Sequence, residues 1–214
     1  MKIEMGESLL YSWLIHEKEC QLAQTNWKAS KYWVLGHEEE LKTLLKASQE
    51  SKYKFFEKKK PVSLQQIINQ GEIDVIGICI RDEDSTVYAV DVAFHENGLN
   101  YVSREKTTVK IGEKGLRTAM CLYGYFGIKK AEIVFTSPKV GKAIEAEARE
   151  IEREMKAIFE KCSLDFEFRV ILNDAFRQDI LDPVLGKSKR IADTSELFLR
   201  SYQLTQMFGD KNSR

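Results

Sequence analysis

Two aspartates stand where the chain is otherwise apolar. Asp74 sits near the start of the run Ile73-Asp74-Val75-Ile76-Gly77-Ile78-Cys79-Ile80, and Asp91 lies inside Val87-Tyr88-Ala89-Val90-Asp91-Val92-Ala93-Phe94. An ionised carboxylate in an apolar strand is strongly disfavoured unless a partner compensates it. The polar segment 81–85 between the two runs predicts a hairpin, which sets its strands side by side. Two carboxylates converging there suit magnesium or manganese, ions that take oxygen ligands and, in the case of magnesium, keep several waters. Such an ion activates a water and neutralises a phosphate during transfer. Glu7, at the head of a predicted first helix, is a third acid for the same centre. The spacing equally allows a purely structural pair, with Asp74 capping its strand and Asp91 matched to a lysine or arginine.

The elements that must position these acids follow from periodicity. Leu9, Leu10, Trp13 and Leu14 predict a helix over 6–18, and residues 20–27 a strand. The polar stretch 37–60, with Leu41, Leu44, Leu45, Phe55 and Phe56 as a thin stripe, predicts a helix outside the main core. Pro61 ends it, and Ser63 caps a short helix stopping near Gly71. After the hairpin come a helix over 107–126 with a stop at Gly127, a strand at 131–135, a helix over 143–162 and a strand at 166–172. The tail, 174–208, reads as helices broken around Asp182-Pro183, with frayed residues beyond 208. This order predicts an α/β domain, a mixed sheet with helices on both faces. By alternation Asp91, Ala93 and His95 share one face of their strand.

With 214 residues and 43% hydrophobic content, the chain can bury one sizeable core. Lys+Arg and Asp+Glu both number 33, so nucleic-acid binding needs a local cationic patch, because the whole surface is not basic. Cys20, Cys79, Cys121 and Cys162 are too scattered for a zinc or redox motif and read as reduced core thiols. No apolar run approaches the ~20 residues that span a bilayer. The expectation is a cytoplasmic protein without a membrane partner. His16 and His37 have no companions at ligand spacing. Gly112, Gly115, Gly124 and Gly127 form no phosphate loop.

The order of elements, with Glu7 on the first helix, Asp74-Val75-Ile76-Gly77-Ile78 and Ala89-Val90-Asp91-Val92-Ala93, resembles the restriction-endonuclease-like, or PD-(D/E)xK, nuclease superfamily. It is most similar to the branch of Holliday-junction resolvases and related small nucleases. The resemblance covers roughly 6–36 and 72–137, and makes 1–214 a single nuclease-like domain with a helical insertion at 37–71 and a C-terminal extension at 138–214. It implies a magnesium- or manganese-dependent deoxyribonuclease acting on DNA, with Asp74 and Asp91 as metal ligands and Glu7 as a further ligand or a partner of metal-bound water. Many such proteins work as homodimers.

One position departs from that pattern. Ala93 stands where the family places a lysine that activates the attacking water. Either the lysine has moved, with Lys114 or Lys110 on the following helix and then Lys28 as replacements, or the chain is an inactive nuclease-like module that binds nucleic acid or a protein. Lys28, His95 and Lys110 are the expected phosphate contacts. Trp27, Lys28, Lys31, Tyr32 and Trp33 mix rings and cations in the manner of base-stacking surfaces, although tryptophans there also suit a core. The run Lys58-Lys59-Lys60 suits a DNA backbone or a solvated helix end.

Overall fold

The computed structural model describes residues 4–57, 62–81, 84–191 and 194–208. Lys58–Lys60, two residues of the hairpin turn (Asp82 and Glu83) and the tail beyond 208 lie outside them. Five strands, β1 (Leu22–Trp27), β2 (Ile73–Arg81), β3 (Asp84–Val92), β4 (Lys130–Ser137) and β5 (Asp165–Leu172), form one open sheet in sequential order. The first three run antiparallel through the expected hairpin, and β3, β4 and β5 are parallel. The protein is therefore an α/β fold on a mixed sheet. Its parallel half is built by crossovers through α4 (Arg104–Phe126) and α5 (Lys142–Lys161).

Each face of the sheet carries its own apolar layer. Val87, Ala89, Ile133, Phe135, Phe166 and Phe168 face α4 and α5, together with α2 (Glu38–Gln49) and α3 (Leu64–Ile68). Val75, Cys79, Val90, Val134 and Ile171 face α1 (Met5–His16) and the C-terminal helices. The alternation along β3 is thus the predicted one, with Asp91 and Ala93 on the α4 side and Val90 and Val92 on the α1 side. The strand ends at Val92, so His95 falls in the turn that follows.

Local chemistry accounts for the helix ends. Ser63 and Gln66 form a reciprocal capping box at α3, and Ser103 accepts from the Lys106 amide at the start of α4. Gly127 closes α4 with a left-handed φ of 65°. Two other glycines admit close neighbours. A Cβ on Gly112 would lie 2.3 Å from the Phe55 ring, and one on Gly115 would lie 2.3 Å from Phe168.

That contact corrects the expectation for 37–60. Among the described residues of this stretch only α2 is helical; its Leu41, Leu44 and Leu45 lie in the main core, and the chain after it turns back so that Phe55 and Phe56 join them against α4. The polar majority masked this, since one apolar face is enough to fix a helix.

The tail also differs from expectation at Pro183. Instead of a break, α6 (Asp174–Phe176) continues through a π-helical turn (Arg177–Leu181) into α7 (Asp182–Ser188). Proline has no N–H to give the carbonyl four residues back. That carbonyl belongs to Asp179, and it accepts the Trp13 indole N–H at 2.9 Å. A ring on the first helix thus satisfies the group that proline orphans. Nearby, α8 (Leu197–Phe208) docks on α1: Glu196 accepts from Ser12, pairs with His16 at 2.8 Å, and the Phe198 amide donates to the Ser8 hydroxyl. No helix among the described residues is long and apolar enough to cross a membrane.

Phe55→Ala should lower unfolding free energy by about 3–5 kcal/mol, the range for truncating a buried aromatic. Urea denaturation checks this; a loss under 1 kcal/mol would mean that the 50–57 segment merely lies on the surface.

Candidate active site

The hairpin register sets the acids in one row. Val75 pairs with Val90, so the next step places Asp74 opposite Asp91. On the other side of β2, Thr25 pairs with Val75 and Trp27 with Ile73, so Asn26 lies opposite Asp74. Asn26 has a left-handed φ of 54°, a conformation that asparagine tolerates better than most residues. Its side chain donates to Glu7 Oε2 at 2.6 Å. Three neighbouring strands and α1 thereby bring Asn26, Asp74, Asp91 and Glu7 to one end of the sheet.

The helix α4 supplies the compensating charge. Lys114 Nζ lies 2.9 Å from Asp91 Oδ1, and Thr118 Oγ1 donates to Oδ2 at 3.2 Å. Lys114 and Thr118 are one turn apart, so both reach the same carboxylate from one helix face. Asp91 is almost wholly buried, which makes this pairing a requirement. Asp74 is held differently: its Oδ2 accepts the Val92 amide at 2.8 Å. The neighbouring Ala93 amide bonds to Thr136 on β4, so the Val92 amide points the other way, toward β2.

These contacts order the charges. Burial raises the Asp74 carboxyl to about 6; the Asp91 charge adds to this, Lys114 and the Val92 amide oppose it, and Glu7 adds a smaller upward push. Burial acts to lower the Lys114 ammonium, but the carboxylates of Asp91 and Asp74 outweigh it and hold the lysine protonated. The buried thiols of Cys20 and Cys121 are both pushed up to about 12, chiefly by desolvation, and are poor nucleophiles.

Gln70, Glu72, Asp74, Asp91, Lys114 and Arg117 line a cleft of about 120 Å³. At ~30 Å³ per water, that holds roughly four waters. It has room for a small ion with part of its water shell. Among the described residues no group of three or more His, Cys, Asp or Glu side chains is arranged to hold a metal. Asp74 and Asp91 offer two carboxylates beside the Lys114 ammonium, while Glu72 on the cleft wall is held by Lys28. This suits an ion that keeps most of its waters, as magnesium does, and does not suit zinc.

The remaining predicted contacts are spread around this centre. Lys28 pairs with Glu72 at 2.8 Å, which puts it at the rim of the cleft. Lys110 lies one turn before Lys114, with Nζ 4.4 Å from the centre of the Tyr101 ring. His95 is exposed and meets the edge of the same ring at 6.3 Å. Sequence reasoning missed Asn26, Thr118, Arg117 and Glu72. Thr118 and Arg117 had a usable signal, four and three residues after Lys114 on one helix. Asn26 had none, because its role depends on an unusual backbone angle.

No protein-family model, curated protein or solved structure matches this chain.

The Asp74 carboxyl generates a pH dependence whose sign is fixed. Its native value, about 6, lies above the ordinary unfolded value near ~3.9, so the folded state binds this proton more tightly. The resulting stability is fully present below about pH 4 and is lost as pH rises through about 6. Asp74→Asn keeps an acceptor for the Val92 amide and removes the charge. In EDTA it should melt above the parent protein at pH 8 and level with it near pH 4; the opposite order across that range would show that the ionised carboxylate stabilises the fold.

Proposed function

We propose that the protein is a magnesium- or manganese-dependent nuclease that hydrolyses phosphodiester bonds in DNA. One observation carries the reading: a lysine from α4 meets Asp91 beside Asp74, supplying from another element the cation that Ala93 cannot provide. The resemblance to the restriction-endonuclease-like superfamily supports it, through the order of helix, three strands, helix and strand. Buried reduced thiols suit a cytoplasmic setting.

The roles follow from charge and position. Asp74 and Asp91 would hold the metal, which when bound supplies Lewis-acid stabilisation and an activated water. Lys114 offsets part of the negative charge of the two aspartates, and a divalent ion would offset the rest, letting a phosphodiester approach. Lys114 steers the water and offsets charge developing on phosphate. Glu7 is oriented by Asn26 and acts on the water shell. Lys28, Lys110 and His95, outside the cleft, contact flanking phosphates.

A second reading, a non-catalytic module that binds nucleic acid or protein, draws on a specific observation: Lys114 and Thr118 already satisfy Asp91, and among the described residues no third acid is arranged with the pair as a ligand set. A magnesium and manganese titration with plasmid and branched DNA separates the two. Cleavage is expected only with metal, with Asp91→Ala and Lys114→Met each lowering kcat by about 10²–10⁴-fold. Cleavage that survives Asp91→Ala refutes the site, and absence of both cleavage and calorimetric metal binding refutes the enzyme reading.

A further inference from the structure

Beyond the cleft, the loop after β1 builds an aromatic surface for which the nuclease reading gives no role. Trp27 is buried and braces its neighbours: its ring lies 6.2 Å from Trp33 and 5.3 Å from Phe126. Trp33 also meets Tyr125 edge-on at 5.9 Å. One side of Trp33 is thus fixed, while the residue remains 49% exposed, and Tyr32 beside it is 94% exposed. Trp33, held on one side and open on the other, is a preformed stacking platform, since little freedom remains to be lost on binding, and the solvent-facing Tyr32 ring extends that surface.

Cations border these rings. Lys28 and Lys31 flank the loop, and Lys129 lies over the nearby Tyr123 ring. Of the three acids at the head of α2, Glu38, Glu39 and Glu40, the first two are matched by Lys42. The surface is also continuous with the cleft. Trp27 pairs with Ile73, the residue before Asp74, and Lys28 grips Glu72 on the cleft wall. A cleft of about 120 Å³ is too small for a phosphate together with both flanking bases, so most of a bound strand lies outside it. Along α4, Tyr125 lies eleven residues past Lys114, roughly 16 Å at 1.5 Å per residue, a span of a few nucleotides.

We infer that Tyr32 and Trp33 form a stacking platform for unpaired bases, so that the preferred substrate is DNA with a single-stranded segment beside the cleavage position. Duplex DNA hides its base faces, whereas a tail, flap or open junction presents them to aromatic side chains with little regard to sequence. This inference rests on the nuclease reading for its substrate, though its binding test does not require cleavage.

The test is fluorescence anisotropy in EDTA, comparing a duplex bearing an unpaired six-nucleotide tail with a blunt duplex. The tailed duplex should bind about tenfold more tightly. Tyr32→Ala and Trp33→Ala should each remove most of that preference, and Trp33→Phe should keep most of it. Tyr32 is so exposed that its variant should fold normally, which protects the test if Trp33→Ala does not. Equal binding of the two duplexes, or an undiminished preference in Tyr32→Ala, overturns the platform. So does sedimentation showing that the surface pairs two copies of the chain in a dimer lost in Tyr32→Ala. Tail preference without cleavage defeats the nuclease reading alone; cleavage without tail preference defeats the platform alone.

Discussion

A carboxylate buried in the central strand of a sheet must be answered by a positive charge, and that requirement organises this molecule. Asp91 lies on β3 with two strands on either side, almost wholly buried and with only the small cleft beside it open to water. The answer comes from Lys114, so α4 has to cross that strand in a fixed rotation. Gly112 and Gly115 permit the approach, since any side chain there would strike Phe55 or Phe168. The same ammonium then limits how far Asp74 is pushed from its ordinary ionisation. Fold and chemistry thus share one contact: the helix that completes the crossover also delivers the cation.

Much of the architecture was readable from pattern. The two apolar runs and their polar turn gave the hairpin, and period-two alternation placed Asp91 with Ala93 and opposite Val90 and Val92. Ser63 and Gly127 mark helix ends by chemistry that acts within four residues, so local sequence suffices for them; the Ser103 cap, which starts α4 three residues before the expected 107, was missed. The stretch 50–57 was not readable, because its core contacts are with a helix about sixty residues away and its polar residues dominate any average. Pro183 misled for a related reason. It does deprive a carbonyl of its donor, but the replacement comes from Trp13, at the other end of the chain.

For the candidate site, the sequence supplied the residue types and the structure the geometry. Asp74 and Asp91 stood out because acids in apolar strands need an explanation. Lys110 and Lys114, four residues apart, were equivalent by periodicity; only the position of α4 over β3 aims Lys114 at the carboxylate and leaves Lys110 over Tyr101. His95 was assigned to the Asp91 face on the premise that β3 continues, and the strand stops short of it. Asn26 illustrates a different limit: a positive φ in the middle of a strand turns a ladder residue into a holder for Glu7.

The docking of α1 has a consequence for the order of assembly. Glu7 is carried by α1, a helix clasped by Glu196, Phe198 and the Asp179 carbonyl, across sequence separations of 184, 190 and 166 residues. The Lys114–Asp91 pair closes a loop of only 23 residues. Contacts of high sequence separation form slowly, so the clasp on α1 is a late event in folding and the Lys114–Asp91 pair an early one.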